Sequence, residues 1–383
     1  MRLYRVTHAA LVGVGIALLL SARLANQDWW DRHFLPIFAL RRETLVIAEQ
    51  TVRVVMALAG AALALVLARP IAGVLSRATL AGMLRILLAL LLALGASEVA
   101  LRARPPHPHD ADSLQLEPRR QPDPRLGWVF VPARSVLALE AGRRVSYSFD
   151  ASGHRVPSPG ATVDADRPSV LFTGESIVAG YGLDWQNTIP ARVSALLGMQ
   201  SVNMAVSDYS NDQSYLRLAA ELPRFRQPVA VVTLFMPSLF DRNLLGNRPH
   251  LDTGLVWRPA VQPWRLVQLF HWLIPYRSSA AIERSVQGTR ETLCALVDLA
   301  RSRGAEALIV VPQFEPESAT DEMLRRRILD EPNLPYVQVK LDPSWHLPDD
   351  RHPDERGAKA IAAAVARAIP PHLLLPPRRC PAL

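Results

Sequence analysis

Three apolar runs crowd into the first hundred residues, and they constrain this part of the chain more than any other feature. Residues 6–22 are uncharged and follow Arg2 and Arg5, residues 54–68 are uncharged and follow Arg53, and residues 78–96 are broken only by Arg85. A helix needs about 20 mostly apolar residues to cross a bilayer, so each run sits near the lower limit for a span. Buried core helices of a soluble domain are the alternative. Three such runs in so short a stretch favour a membrane anchor. Arg53 and Arg85 are then expected to snorkel or to face a neighbouring helix. The cluster DWWDRHF at 28–34 suits a membrane interface. The first run also resembles a signal peptide, but a cut after Ala25 would leave Arg23 at the third position before it. Small residues are needed there, so an uncleaved anchor is expected.

Charge follows the same division. Residues 1–104 hold twelve arginines against five acidic residues, so nearly all of the net charge of +8 lies in the apolar part. A nucleic-acid groove would need that charge on the globular part. Nucleic acid is therefore not an expected partner. With the N-terminus inside, Arg2, Arg5, Arg69 and Arg77 lie inside, while Arg23, Arg32, Arg41, Arg42, Arg102 and Arg104 lie outside. That count selects no orientation. Cys294 sits in a helical pattern and reads as a small buried hydrophobe. With Cys380 it makes neither a metal spacing nor a disulfide framework.

Residues 103–127 are rich in proline and polar residues and read as a linker. Residues 128–160 alternate apolar and polar in short stretches, as a small β lead-in would. From Pro168 onward, strand and helix patterns alternate. Strands are expected at 169–172, 201–204, 229–235, 307–311 and 336–340, and helices at 188–197, 211–222, 282–303, 320–329 and 354–368. Short strands that are apolar almost throughout suit a parallel sheet covered on both faces. Sites in such sheets lie beyond the carboxyl ends of the strands.

Two pieces could carry chemistry. The first strand runs into Thr173-Gly174-Glu175-Ser176, which puts Ser176 at its carboxyl end. A serine hydroxyl needs a neighbouring base to become a nucleophile. After the last strand comes Asp349-Asp350-Arg351-His352. A carboxylate near a histidine can fix its tautomer and aim its other nitrogen at a serine. Taken singly, each piece reads as a cap or a charged loop. Their placement at the two ends of one sheet points to a Ser–Asp–His set of Ser176, Asp349 and His352.

The chain from about Ser169 to Ala368 resembles an SGNH/GDSL hydrolase. Gly174-Glu175-Ser176 matches the first family block, and Asp349-x-x-His352 matches the fifth. SVNMAVSDYSNDQ at 201–213 resembles the second block, and VVTLFMPSLFDRN at 231–243 the third. The anchor and DASGHR at 150–155 are similar to features of envelope members. The resemblance implies a flavodoxin-like three-layer αβα sandwich with a parallel sheet, preceded by the helical membrane region. It also implies hydrolysis or transfer of acyl esters. The family's oxyanion hole uses the serine N–H, a loop glycine N–H and an asparagine side chain. Here the glycine position holds Asp208 and the asparagine position Ser238, with Asn243 out of spacing. A carboxylate beside a developing oxyanion opposes it, and loss of one donor costs about 10²–10³ in rate.

The expected organisation is a three-helix anchor at 1–104, a linker and β lead-in at 105–164, a catalytic domain at 165–370 and a tail at 371–383. The expected activity is that of a serine esterase needing no cofactor or metal. Its catalytic domain would lie outside the cytoplasm of a bacterial inner membrane, and its substrate would be an O-acyl ester of an envelope glycan or lipid. The alternatives are an O-acyltransferase for an exported polysaccharide and a catalytically degenerate domain that binds glycan or a partner. Trp257, Trp264, Trp272, Phe270 and Tyr276 are expected in core or lid packing. His107 and His109 are too few to hold a metal. Asp241 and Arg242 are expected to form a solvated loop pair.

Overall fold

The computed structural model describes residues 2–35, 38, 41–103, 119–261 and 264–369, with the side chain of Trp272 excepted. Arg104, the proline-rich segment with His107 and His109, and the tail with Cys380 lie outside the described residues. The chain divides into two compact units, a helical one and an α/β one.

The helical unit contains α1 (Arg2–Leu24), α2 (Gln27–His33), α3 (Arg42–Ala62), α4 (Ala68–Leu75) and α5 (Leu80–Ala103). Three stretches, Arg2–Leu24, Arg42–Leu75 and Leu80–Ala103, are long and apolar enough to cross a membrane. Each extends beyond its apolar run by several residues. The second stretch carries a π-helical turn, Leu63–Leu67, between α3 and α4. Pro70 follows at once, and a proline removes a helical N–H and crowds the preceding turn. A wider turn accommodates that defect. α1 and α3 approach through Gly15 and Gly60, where a Cβ on either would stand 2.7 Å from the other's carbonyl oxygen. Small residues permit such contact between helices in lipid, where no hydrophobic force drives them together. Arg53 faces the neighbouring helix, its Nε donating to the Ala22 carbonyl at 3.1 Å.

The α/β unit opens with the hairpin β1 (Arg120–Asp123) and β2 (Gly127–Phe130). Then follow β3 (Ser135–Glu140), β4 (Arg143–Phe149), β5 (Arg155–Val156), β6 (Ser169–Phe172), α6 (Ser176–Ala179), α7 (Ile189–Leu197) and β7 (Gln200–Asn203). Next come α8 (Asn211–Glu221), β8 (Pro228–Leu234), β9 (His250–Asp252) and β10 (Val256–Arg258). Helix α9 (Arg265–Leu273) belongs to the helical unit. The α/β unit resumes with α10 (Ser279–Ser302), β11 (Glu306–Gln313), α11 (Ala319–Arg325), β12 (Tyr336–Lys340) and α12 (Glu355–Ala368).

One eight-stranded sheet runs β12-β11-β8-β6-β7-β5-β4-β3. Its five parallel strands, numbered along the chain, stand in the order 2-1-3-4-5, the flavodoxin-like arrangement. α7 packs with α12 and α8 with α10, which supplies a helical layer for each face. β6 is buried along its whole length, as a central strand apolar from Val170 to Phe172 requires. Cys294 is buried within α10.

The β lead-in is continuous with this sheet. β3, β4 and β5 extend it as antiparallel strands beside β7. Arg155 on β5 is the largest fully buried side chain. Its guanidinium donates to the carbonyls of Ala179 at 2.7 Å, Gly180 at 2.6 Å and Leu183 at 2.5 Å. Burial pushes its pKa down to about 10, so it is still charged near neutral pH. Tyr147 lies between two guanidiniums, with Arg155 at 4.2 Å and Arg119 at 4.4 Å from the ring centre. Glu140 pairs with Arg119 at 2.6 Å, accepts the Tyr147 hydroxyl, and accepts the Gly182 N–H at 2.9 Å.

Of the aromatic residues expected in core or lid packing, the Trp272 side chain lies outside the described residues and the other four are exposed rather than buried. Trp264 is 64% exposed, Phe270 58%, Tyr276 43% and Trp257 40%. Helix α9 leaves Val267, Leu269, Phe270 and Leu273 exposed.

Replacing Arg155 by Met leaves buried carbonyls without a donor and Glu140 with one cation fewer. A loss of about 3–5 kcal/mol is expected from breaking such a buried network. That corresponds to a melting point lower by about 10 °C for a domain of this size. Arg155→Met melting within about 2 °C of the parent chain would show that the guanidinium is dispensable.

Candidate active site

β6 ends at Phe172, and Gly174 follows in a conformation open to glycine, with φ of 151°. A Cβ there would meet Val178 Cγ2 at 2.9 Å. The tight turn brings Ser176 to the start of α6, a single helical turn. Glu175 caps it, its Oε1 accepting the Ile177 N–H at 3.0 Å. Ser176 is 2% exposed, at the carboxyl end of the central strand.

His352 comes from the loop between β12 and α12. Its Nε2 lies 2.7 Å from Ser176 Oγ. Its Nδ1 lies 2.6 Å from Asp350 Oδ1, which also accepts the His352 backbone N–H at 2.8 Å. Burial raises the Asp350 pKa, but the hydrogen bonds and charge of His352 outweigh it and hold it below the usual carboxylate value. The Tyr181 ring packs on the imidazole, with centroids 4.3 Å apart.

The structure thus brings Ser176 and His352 together, and the carboxylate on the ring is that of Asp350, not Asp349. Asp349 adopts a left-handed backbone, with φ of 55°. The turn it makes presents the next residue to His352. Spacing alone did not separate two adjacent aspartates.

Asp208 also sits in the left-handed region, with φ of 67°, as a residue standing in for glycine must. Arg120 Nη1 donates to its Oδ2 at 3.0 Å, and Arg248 Nη1 donates to its carbonyl at 2.5 Å. The surrounding protein raises the Asp208 pKa, but Arg242, Arg120 and Arg248 outweigh that and hold it down to about 2. Among the described residues, neither the Ser176 nor the Asp208 backbone N–H has a hydrogen-bond partner.

Arg242 is no solvated loop residue. Its side chain is 15% exposed and reaches within 3.6 Å of both Glu175 Oε2 and Asp208 Oδ1. Glu175 Oε2 in turn accepts the Ser176 hydroxyl at 2.5 Å. Arg242 therefore links two carboxylates, one of them hydrogen-bonded to the Ser176 hydroxyl, a set that sequence spacing did not assemble. Ser238 is half-buried on the 3-10 segment Pro237–Leu244. Among the described residues no hydrogen bond ties it to Ser176, Glu175 or His352. Asn243 is engaged elsewhere: it accepts the Asn211 N–H and donates to the Asn211 side chain, both at 3.1 Å. No group of three or more His, Cys, Asp and Glu side chains that could hold a metal ion occurs among the described residues.

No family model matches the sequence. No curated protein matches it. Solved structures similar to the chain include a protein described as lipolytic, of the G-D-S-L family, from Desulfitobacterium hafniense. It is 15% identical with a TM-score of 0.34, and the match covers 52% of this chain and 98% of that one. Another is a member of the lipolytic G-D-S-L family from Veillonella parvula, 12% identical with a TM-score of 0.31, covering 52% and 96%. A third is an acetyl xylan esterase from Butyrivibrio proteoclasticus, 10% identical with a TM-score of 0.33, covering 54% and 64%.

The depressed pKa of Asp208 implies a pH-dependent contribution to stability. It is fully present above the ordinary aspartate value and is lost as pH falls toward about 2. The side chain is 41% exposed, so solvent screening reduces the effect to about 1 kcal/mol. Asn tolerates the same backbone region. Asp208→Asn is expected to melt a few degrees lower at pH 7 and to converge on the parent chain as pH falls below 4. A constant difference across that range would remove the arginine pairing as its cause.

Proposed function

We propose that this chain is a serine ester hydrolase of SGNH/GDSL type, anchored in a membrane through residues 1–104. Its proposed substrate is an O-acyl ester of an envelope glycan or lipid. The observation that carries this reading is the Ser176–His352–Asp350 chain of contacts at the carboxyl end of the first parallel strand.

Ser176 Oγ attacks the ester carbonyl while His352 Nε2 takes its proton. Asp350 holds Nδ1–H, which sets the tautomer and stabilises the imidazolium that forms. The imidazolium then gives its proton to the leaving alcohol. Water repeats the sequence on the acyl-enzyme and releases the acid. The N–H groups of Ser176 and Asp208 are the proposed oxyanion donors. Arg242, Arg120 and Arg248 answer the objection that Asp208 would oppose an oxyanion, because its negative charge is already paired. Arg242 also adds positive charge beside Glu175. This pairing supports an active site over a degenerate one. No step calls for a cofactor or metal. An acceptor hydroxyl reaching the acyl-enzyme before water would make the same residues a transferase. The catalytic unit is proposed to lie outside the cytoplasm.

The test is hydrolysis of a short-chain activated ester by the full chain in detergent or bilayer discs. Ser176→Ala is expected to lower the rate by about 10³ or more, as loss of a serine nucleophile does. Asp350→Asn is expected to lose about 10²–10⁴, because the tautomer is no longer held. Asp349→Asn is expected to stay within about threefold of the parent, well below the tenfold that 1.4 kcal/mol represents. A folded parent chain with no turnover above Ser176→Ala would overturn the reading. Equal losses at Asp349 and Asp350 would overturn the assignment of the carboxylate.

A further inference from the structure

We infer that α9, a helix set between β10 and α10 of the α/β fold, lies in the bilayer interface as a further membrane contact of the helical unit. The inference rests on the reading of Arg2–Leu24, Arg42–Leu75 and Leu80–Ala103 as spans, and it concerns a segment about 160 residues beyond the last of them.

The first observation is how α9 is held. Glu98 of α5 caps its start, with Oε1 accepting the Arg265 N–H at 3.0 Å and Oε2 accepting the Leu266 N–H at 2.9 Å. Just past its end, Arg277 is tied to α2. The Arg277 N–H donates to the His33 carbonyl at 2.8 Å, and His33 Nδ1 lies 2.9 Å from the Arg277 carbonyl. Both ends of the segment are therefore fastened to the helical unit.

The second observation is the level of these fastenings. Glu98 is the first charged residue after Arg85 on α5. From Leu80, where α5 begins, to Glu98 the helix rises about 27 Å, so Glu98 falls near the edge of a hydrocarbon core about 30 Å thick. Tracing three crossings, the carboxyl ends of α1 and α5 emerge on the same side. There Trp29 stacks on Tyr276 at 6.2 Å, His33 stacks on Tyr276 at 5.2 Å, and Phe34 meets it edge-on at 6.0 Å. Aromatic rings with a polar edge collect at this depth of a membrane. Tyr276 thus completes a belt begun by the DWWDRHF cluster.

The third observation is the free face. Trp264, Val267, Phe270 and Ile274 recur at helical spacing and are all exposed, as are Leu269 and Leu273. Arg265 and Gln268 hydrogen-bond each other at 3.1 Å. A short helix with such a face, continuous with spans that are themselves apolar outside, fits a lipid surface. Water would leave that face exposed with nothing gained.

Electron paramagnetic resonance on the full chain in phosphatidylcholine bilayers tests this. Nitroxides are placed singly through Val267→Cys, Phe270→Cys and Ile274→Cys, with Cys294→Ala and Cys380→Ser as background. Leu88→Cys on α5 is the span control, and Leu137→Cys on β3 is the water control. Collisions with oxygen are expected to exceed those with a water-soluble nickel chelate several-fold at 267, 270 and 274, as at 88, with the order reversed at 137. Nickel-dominated collisions at the three positions, with oxygen still dominant at 88, would place α9 in water and overturn the inference. Protection from both reagents would mean that protein covers the face, and would overturn it equally. Nickel dominance at 88 as well would bring down the three-span reading, and this inference with it. Photo-crosslinking of a benzophenone side chain at Val267 to labelled lipid is a second readout. It is expected to yield a lipid adduct, and its absence beside an adduct from position 88 counts against the inference.

Discussion

A buried guanidinium is the constraint on which the α/β unit depends. Arg155 stands on a two-residue strand and spans to the carbonyls of Ala179, Gly180 and Leu183, the segment that follows the Ser176 turn. A charge so placed is tolerable only where carbonyl dipoles and a counter-charge surround it. Glu140, Tyr147 and Arg119 complete that shell, and Glu140 also holds the Gly182 N–H. Tyr181 lies within the clamped segment and packs against His352. The β lead-in, which contributes neither Ser176 nor His352, thus sets the position of the loop beside the imidazole.

The second constraint is charge balance. Glu175 and Asp208 place two carboxylates beside a serine whose proposed chemistry builds negative charge. In an apolar pocket that arrangement would be self-defeating. Arg120, Arg242 and Arg248 change the sum, holding Asp208 ionised yet paired. Asp208 meets the backbone demand usually answered by glycine because a short polar side chain tolerates the left-handed region. The arginines meet the electrostatic demand that the carboxylate then creates.

The helical unit is built on different contacts. Gly15 and Gly60 let α1 and α3 touch, and a π turn absorbs Pro70 within the longest apolar stretch. α9 is bound to this unit by backbone hydrogen bonds to Glu98 and His33 rather than by a buried apolar face. Its exposed aromatic and aliphatic residues have their physical account in the surroundings of that unit.

What the sequence determined by itself is what local pattern controls. Short all-apolar strands between amphipathic helices dictate a covered parallel sheet, and the runs at 6–22, 54–68 and 78–96 dictate three long helices. Gly174-Glu175-Ser176 at a strand end and His352 before the last helix were legible because strand ends and helix starts are local features. Tertiary structure decided the rest. Whether Asp349 or Asp350 meets the imidazole depends on one left-handed residue, which spacing does not reveal. That Arg242 joins Glu175 and Asp208, while Asn243 turns to Asn211, depends on how the Pro237–Leu244 segment meets the start of α8. The lead-in merges with the main sheet because β5 finds an edge on β7, and Trp264, Phe270 and Tyr276 stay exposed because α9 joins the helical unit. Apart from the local turn at Asp349, each of these is a contact between residues far apart in the chain, and no local periodicity encodes it.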